Sequence, residues 1–384
     1  MRVREVFYLS GYDPRGARHY YNLYKKESQK EAKKGEIYRL SKREKTGPHR
    51  SSFWIEKGTR RTRYHFLEWD DLIRKRWEKS WIDFVADLYH ILRSYLFNGA
   101  IARYARTSPV QMIAAFYPVL YLLFTFLLAL GLFRWSISSF SPTVGWFVAG
   151  ALGGVLGAAV VFFAIKIAKK LAVFWLLRIY KFSSEYIELP NEDLKERIKI
   201  FADEIAEAID RVQRGETDEI LIVSHSVGTI LTIPILAELR RRVGNENESW
   251  SRVYVMTLGE CIPVVSFHPE AGEYREQMRR ALEGSPVTWL DFTTPIDGAC
   301  FPLLDFYETS GVKVPPERKP RYLSPRFHTL FTPEGYRRIK KNRYLTHFIY
   351  LLSTELEGPY NYFRLTAGEE PLERYTSSFK GGEK

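Results

Sequence analysis

The stretch DEILIVSHSVGTILTIPILAELRRR, residues 218–242, changes its period in the middle. Ile220 to Val223 is an unbroken apolar run dominated by β-branched side chains, which reads as a strand buried on both faces. Five residues follow, Ser224-His225-Ser226-Val227-Gly228, four of them small or β-branched and one a histidine. Beyond them the apolar positions recur at helical spacing until the basic triplet Arg240 to Arg242, a helix-end signal. The local structure is therefore strand, tight turn, helix. A serine in that turn stands at a helix N-terminus, where backbone N–H groups lack intrahelical partners.

Working outward, short apolar runs on either side repeat the pattern. Arg252–Thr257 and Pro286–Phe292 read as the next strands, and YLSPRF (322–327) holds the last. Upstream, Glu5–Leu9, Ser52–Glu56 and Arg63–Trp69 read as strands, with helices over about 17–34, 82–104 and 191–213, the last opened by Pro190. Strands alternating with helices predict an α/β fold built on a parallel sheet with helices on both faces. The segment KGEIYRLSKREKTGPHRSS (34–52) is polar and basic and reads as a surface loop or edge ribbon. The tail from about Ala367 reads as polar and loosely ordered.

Ser224-His225-Ser226-Val227-Gly228 resembles the G-x-S-x-G elbow of the α/β-hydrolase superfamily, in the strand–turn–helix setting that the motif requires. Gly228 matches; Ser224 replaces the first glycine with another small residue, and His225 is similar to the histidine of many lipase-like members. The resemblance implies a shortened α/β-hydrolase sheet lacking the first two strands of the full fold, with Ser226 as nucleophile. It implies that Val227 N–H is one oxyanion donor and, because Ser10-Gly11-Tyr12 is similar to the family's His-Gly-aromatic loop, that Tyr12 N–H is the other. It places the acid after the second strand beyond the nucleophile, at Asp297 in TTPIDGAC, with Asp291 at the strand end as the alternative. The base comes last in the chain: His347 in NRYLTHFIYLLS, with His328 in PRFHTLF as the alternative. The implied activity is hydrolysis of an acyl ester through an acyl-enzyme, with no cofactor. A non-catalytic scaffold or partner-binding module on the same fold is the alternative.

Between the two halves of this pattern lie two uncharged runs, Val110–Phe133 and Thr143–Ile165; from Thr107 to Ile165 the sole charged side chain is Arg134. Each run is long enough for a helix of about 20 residues to cross a bilayer. They predict a transmembrane hairpin over 110–168, splitting the hydrolase domain into 1–109 and 171–366, with 367–384 as the tail. Basic residues flank it, Arg93, Arg103 and Arg106 before and Lys166, Lys169, Lys170, Arg178 and Lys181 after. The positive-inside rule then puts both termini and the catalytic domain in the cytoplasm. With no apolar run of signal-peptide length at the N-terminus, a bacterial inner membrane is the simplest home. Gly150, Gly153, Gly154 and Gly157 form two GxxxG pairs, suited to packing on the first span or to a homo-oligomer.

The net charge of +12 is concentrated in the first 109 residues. Beside apolar spans this fits anionic headgroups; no nucleic-acid-binding motif accompanies it. Cys261 and Cys300 are the two cysteines, too few for a disulfide framework and without zinc-site spacing; two reduced core thiols are expected. There is no HExxH metal motif and no phosphate-binding GxxxxGK[ST]. The expected partners are membrane lipids and an acyl-ester substrate.

Overall fold

The computed structural model describes residues 2–77, 81–96, 100–107, 109–188 and 191–379. Pro190, residues 97–99 of the expected helix over 82–104, and the tail residues 380–384 lie outside them. The strands are β1 Arg2–Leu9, β2 Arg39–Leu40, β3 Glu44–Gly47, β4 Arg50–Lys57, β5 Arg60–Leu67, β6 Glu219–His225, β7 Val253–Leu258, β8 Thr288–Phe292 and β9 Arg321–Leu323. They form one mixed sheet in the order β2-β4-β5-β1-β6-β7-β8-β9, with β3 also pairing with β4. From β5 to β9 every pairing is parallel. β4 runs antiparallel to β5, and β2 and β3 run antiparallel to β4. The basic segment 34–52 is thus an edge ribbon.

Strand periodicity sends alternate side chains to two cores. Phe7, Leu9, Ile220, Ile222, Val253 and Val255 face one core, against helices Val173–Glu188, Glu192–Gln213 and Gly228–Val243. Val6, Tyr8, Leu221, Val223, Tyr254 and Met256 face the other, against helix Gly16–Ala32 and the C-terminal segment. Helix Gly228–Val243 contains Pro234, which cannot donate to the carbonyl of Ile230. Tyr274 Oη donates to that oxygen at 2.9 Å instead, so no buried carbonyl is orphaned there.

Two helices are long and apolar enough to cross a membrane: Pro109–Val144, apolar over Phe116–Val144, and Trp146–Lys170. The linker expected at 134–142 is helical, because the first helix runs on to Val144; the reversal is confined to Gly145, at φ +81°. Gly153 packs against Phe133, where a Cβ would meet the Phe133 carbonyl oxygen at 3.0 Å, and Gly157 faces Ala129. Gly150 and Gly154 have open space around them, so the two glycine pairs have different surroundings. The sequence reads the second helix as continuing through Leu171 to Tyr180 as a juxtamembrane helix, but it does not run straight on. It breaks at Leu171 and Ala172, the latter at φ +59°, before helix Val173–Glu188.

The tail is not loose up to residue 379. Buried Arg4 donates to the carbonyls of Leu365 and Glu370, at 3.0 and 2.7 Å, while pairing with Glu219. Leu372 N–H donates to the same Glu219, and Phe379 packs on Phe292. Two buried cations near the N-terminal ends of β1 and β5, Arg4 and Arg60, need that carboxylate, and satisfying all three groups draws the tail in.

Asp291, at the end of β8, is fully buried and accepts from Thr257 Oγ1 at 2.5 Å. Glu260, equally buried, accepts from Ile262 N–H. Burial pushes both carboxyls up, Asp291 to about 8. The folded protein therefore holds protons that the unfolded chain has released above the ordinary carboxylate range, and stability falls as pH rises through that window. Thermal melts between pH 6.5 and 8.5 should show this decline, and Asp291→Asn should make it shallower, the remainder coming from Glu260 and from Glu204, which burial raises to about 7. Buried His65, held down to about 4 by burial, is neutral throughout that interval and does not compete.

Candidate active site

The C-terminal ends of β1 and β6 meet at one small cavity, of about 50 Å³, lined in part by Gly11, Tyr12, Asp13, His225, Ser226 and His347. Parallel sheets place ligand sites at this edge, where loops leave the strands.

Ser226 follows β6 directly and has φ +56°, a left-handed conformation that costs a non-glycine residue about 1–3 kcal/mol. The surrounding backbone fixes it. Its N–H donates to Leu258 O at 2.9 Å, and Thr229 N–H donates to Ser226 O at 2.9 Å. Gly228 lies against β1: a Cβ there would meet the carbonyl oxygens of Leu9 and Ser10 at 2.7 Å. Position 224 lies inside β6, paired with Leu9 and Thr257, and a small hydroxyl is accommodated where the motif has glycine. Gly11 approaches from the other side; a Cβ on it would stand 2.8 Å from Ser226 Cβ. Val227 is the N-cap of helix Gly228–Val243, so its N–H has no intrahelical acceptor.

His347 and Asp297 are both 1 % exposed. Nδ1 of His347 lies 3.0 Å from each carboxylate oxygen of Asp297. Asp297 is held in turn by Ala299 N–H at 3.0 Å. Glycine is required at 259, where φ is +56° and a Cβ would meet Asp297 Oδ2 at 2.9 Å. Hydrogen bonding at Nδ1 selects the tautomer whose lone pair is on Nε2. That Nε2 is buried without a hydrogen-bond partner among the described residues. Ser226 Oγ has Cys261 Sγ at 4.0 Å; serine–base contacts are often loose without substrate. His225 Nε2–H donates to the carbonyl of His347 at 2.9 Å, and burial pushes its imidazole down to about 3. It is neutral at physiological pH, so Nε2–H is the donor in that bond. It links the residue beside the serine to the backbone of His347.

The structure thus brings Ser226, Asp297, His347, Val227 and Tyr12 to one place. Asp291 points into the pair with Thr257 described above, and His347 is matched to Asp297. His328 is exposed, in the short helix Phe327–Leu330 beside Tyr336, and does not line the cavity. Trp77, Trp175 and Tyr344 also line the cavity, with Pro14, Tyr20 and Phe348, and were not singled out in the sequence as site residues. Trp175 sits edge-on to His347 at 4.9 Å between ring centres. Both cysteines are buried and unlinked. Away from the cavity, Glu188, His268 and Glu270 bring three potential ligand atoms within 4.8 Å of one another; no sequence motif signals them because Glu188 lies 80 residues before the His268–Glu270 pair. No protein-family model, curated protein or solved structure matches the chain.

Proposed function

We propose that this chain is a serine hydrolase of the α/β-hydrolase type that cleaves an acyl ester and is held to a membrane by its two-helix hairpin. The observation that carries the reading is a serine in a left-handed elbow sharing a cavity with a buried, carboxylate-paired histidine. The order of the parts supports it too. The serine follows a central strand, the acid follows the second strand beyond it, and the histidine comes after the last strand.

Ser226 Oγ attacks the ester carbonyl while His347 Nε2 takes its proton. Asp297 holds the imidazole's orientation and stabilises the imidazolium. The N–H groups of Val227 and Tyr12 receive the developing oxyanion; one such donor is worth about 3 kcal/mol of barrier. His347 then protonates the departing alkoxide, and water, activated by the same histidine, releases the acid from Ser226. The basic flanks of the hairpin orient the catalytic domain to the cytoplasmic side.

The test is hydrolysis of soluble short-chain acyl esters by detergent-solubilised protein. Turnover by the wild type that is abolished by Ser226→Ala supports the reading; a well-folded wild type inert towards all of them favours a non-catalytic scaffold. Gly11→Ala adds a sharper expectation. Its methyl displaces the Ser10–Tyr12 loop from the nucleophile, and kcat should fall on the order of 10²-fold, the effect of losing one oxyanion donor. Kinetics together with a thermal melt separate this from simple destabilisation.

A further inference from the structure

Two ring nitrogens at the cavity keep lone pairs. One is Nε2 of His347, the base. The other belongs to His225. Its Nε2–H goes to the carbonyl of His347 at 2.9 Å, and a neutral imidazole carries one ring proton, so its Nδ1 is an acceptor. Both residues line the cavity and both are 1 % exposed. Both nitrogens are buried without a hydrogen-bond partner among the described residues. Burying an acceptor without a donor is costly, and Nδ1 of His225 takes no part in the triad.

The hydroxyls and cation nearest the site are committed elsewhere. Tyr20 Oη and Arg15 donate to Asp13 on the cavity wall. Tyr350, its ring centre 6.2 Å from that of His225, has its hydroxyl 3.6 Å from Cys300 Sγ. The ring of His225 lies instead beside that of His347, with centres 4.8 Å apart and planes inclined at 44°. A water that donates to two acceptors joins atoms about 5–6 Å apart. The cavity, of about 50 Å³, is large enough for one, since a water occupies roughly 30 Å³ in the liquid. Burial keeps the His225 imidazole neutral, so the acceptor persists at physiological pH.

We propose that His225 is a further catalytic residue, acting in deacylation: its Nδ1 accepts one O–H of the hydrolytic water while His347 Nε2 accepts the other. This rests on the hydrolase reading above. With both protons directed at the imidazoles, the lone pairs of the water turn away from the rings, to the side where Ser226 presents the acyl carbon. The water oxygen bonds to that carbon as His347 Nε2 takes the proton aimed at it. The tetrahedral intermediate then expels Ser226 Oγ, which takes that proton back from His347, and the carboxylic acid leaves with the second proton on its oxygen. His225 receives no proton; it fixes the orientation of the nucleophile. Acylation does not use Nδ1, because Ser226 Oγ has one proton to give and gives it to His347.

The experiment is stopped-flow hydrolysis of a short-chain p-nitrophenyl ester by full-length, detergent-solubilised protein, with fluorophosphonate labelling as a separate measure of attack by Ser226. Two substitutions divide the ring's functions. Glutamine sets an NH₂ near the position of Nε2, keeping the bond to His347 O and losing the acceptor at Nδ1. Asparagine sets a carbonyl oxygen near Nδ1, keeping the acceptor and losing that bond. His225→Gln should label within about threefold of the wild-type rate while release of the acyl group slows about tenfold, the size of one hydrogen bond. Its kcat and KM should fall together, a burst of p-nitrophenol should precede steady turnover, and the Ser226 peptide should carry the acyl group. His225→Asn should lose labelling and turnover in parallel, with no burst beyond that of the wild type. Wild-type kinetics in His225→Gln, an equal loss of labelling and turnover in it, or a new burst in His225→Asn overturns the proposal and leaves the hydrolase standing. The asparagine variant decides the matter even if the glutamine one misfolds. A wild type that neither labels nor turns over removes the hydrolase reading, and this proposal with it.

Discussion

Ser226→Ala should lower kcat for acyl-ester hydrolysis by about 10⁵-fold or more, the loss seen when a nucleophile acting in concert with its base is removed. The fold should survive. Alanine carries the same Cβ into the left-handed turn, and the hydroxyl it removes makes, among the described residues, only a long contact to Cys261 Sγ at 4.0 Å. The bonds that fix the elbow, Ser226 N–H to Leu258 O and Thr229 N–H to Ser226 O, are made by backbone atoms and persist in the variant. Circular dichroism and the melting temperature should therefore match the wild type while turnover disappears. Residual hydrolysis within tenfold of wild type would mean that the serine is incidental to the chemistry.

Asp297→Asn should cost about 10⁴-fold in kcat, because it acts on the tautomer of the base rather than on its presence. The carboxylate accepts from His347 Nδ1 through two oxygens at 3.0 Å. An amide can present its NH₂ to Nδ1 instead, which moves the ring proton to Nε2 and removes the lone pair that must accept the serine proton. The side chain keeps its size and its bond from Ala299 N–H, so stability should change little. Asp291→Asn provides the contrast: its carboxylate is bonded to Thr257 and lies outside the cavity lining. It should alter the pH dependence of stability and leave kcat near the wild-type value. His328→Ala should likewise leave turnover intact, since that ring is exposed beside Tyr336. A large loss in either of these two, with Asp297→Asn active, would reassign the acid or the base.

The elbow was legible in the sequence because its constraints are local. A change of period from strand to helix, with Gly228 two residues past a serine, needs no distant partner to be recognised. The apolar helices were legible for a similar reason: a run of more than twenty uncharged residues has few alternatives. Their boundaries were not. Ser136 to Pro142 reads as a polar connector, yet backbone hydrogen bonding carries the helix through it to Gly145. The resemblance favoured Asp297 over Asp291 and His347 over His328, but the contact between Asp297 and His347 was beyond the sequence, since it joins side chains across 50 residues of chain. The packed tail was hidden for the same reason: nothing within 367–379 announces that Arg4 and Glu219 will bind it. Trp175 lies in the stretch Leu171 to Tyr180 that the sequence reads as a juxtamembrane helix with aromatic anchors, a reading that does not make it a site residue. Its contact with His347 follows from the break at Ala172, which periodicity does not reveal.

The most direct measurement is peptide-mapped mass spectrometry of the full-length protein after reaction with a fluorophosphonate. The expected result is a single adduct on the peptide containing Ser226, formed by the wild type, absent from Ser226→Ala, and formed far more slowly by His347→Ala and Asp297→Asn. A folded wild type that takes up no label, or takes it on another residue, would contradict the assignment of Ser226 as the nucleophile.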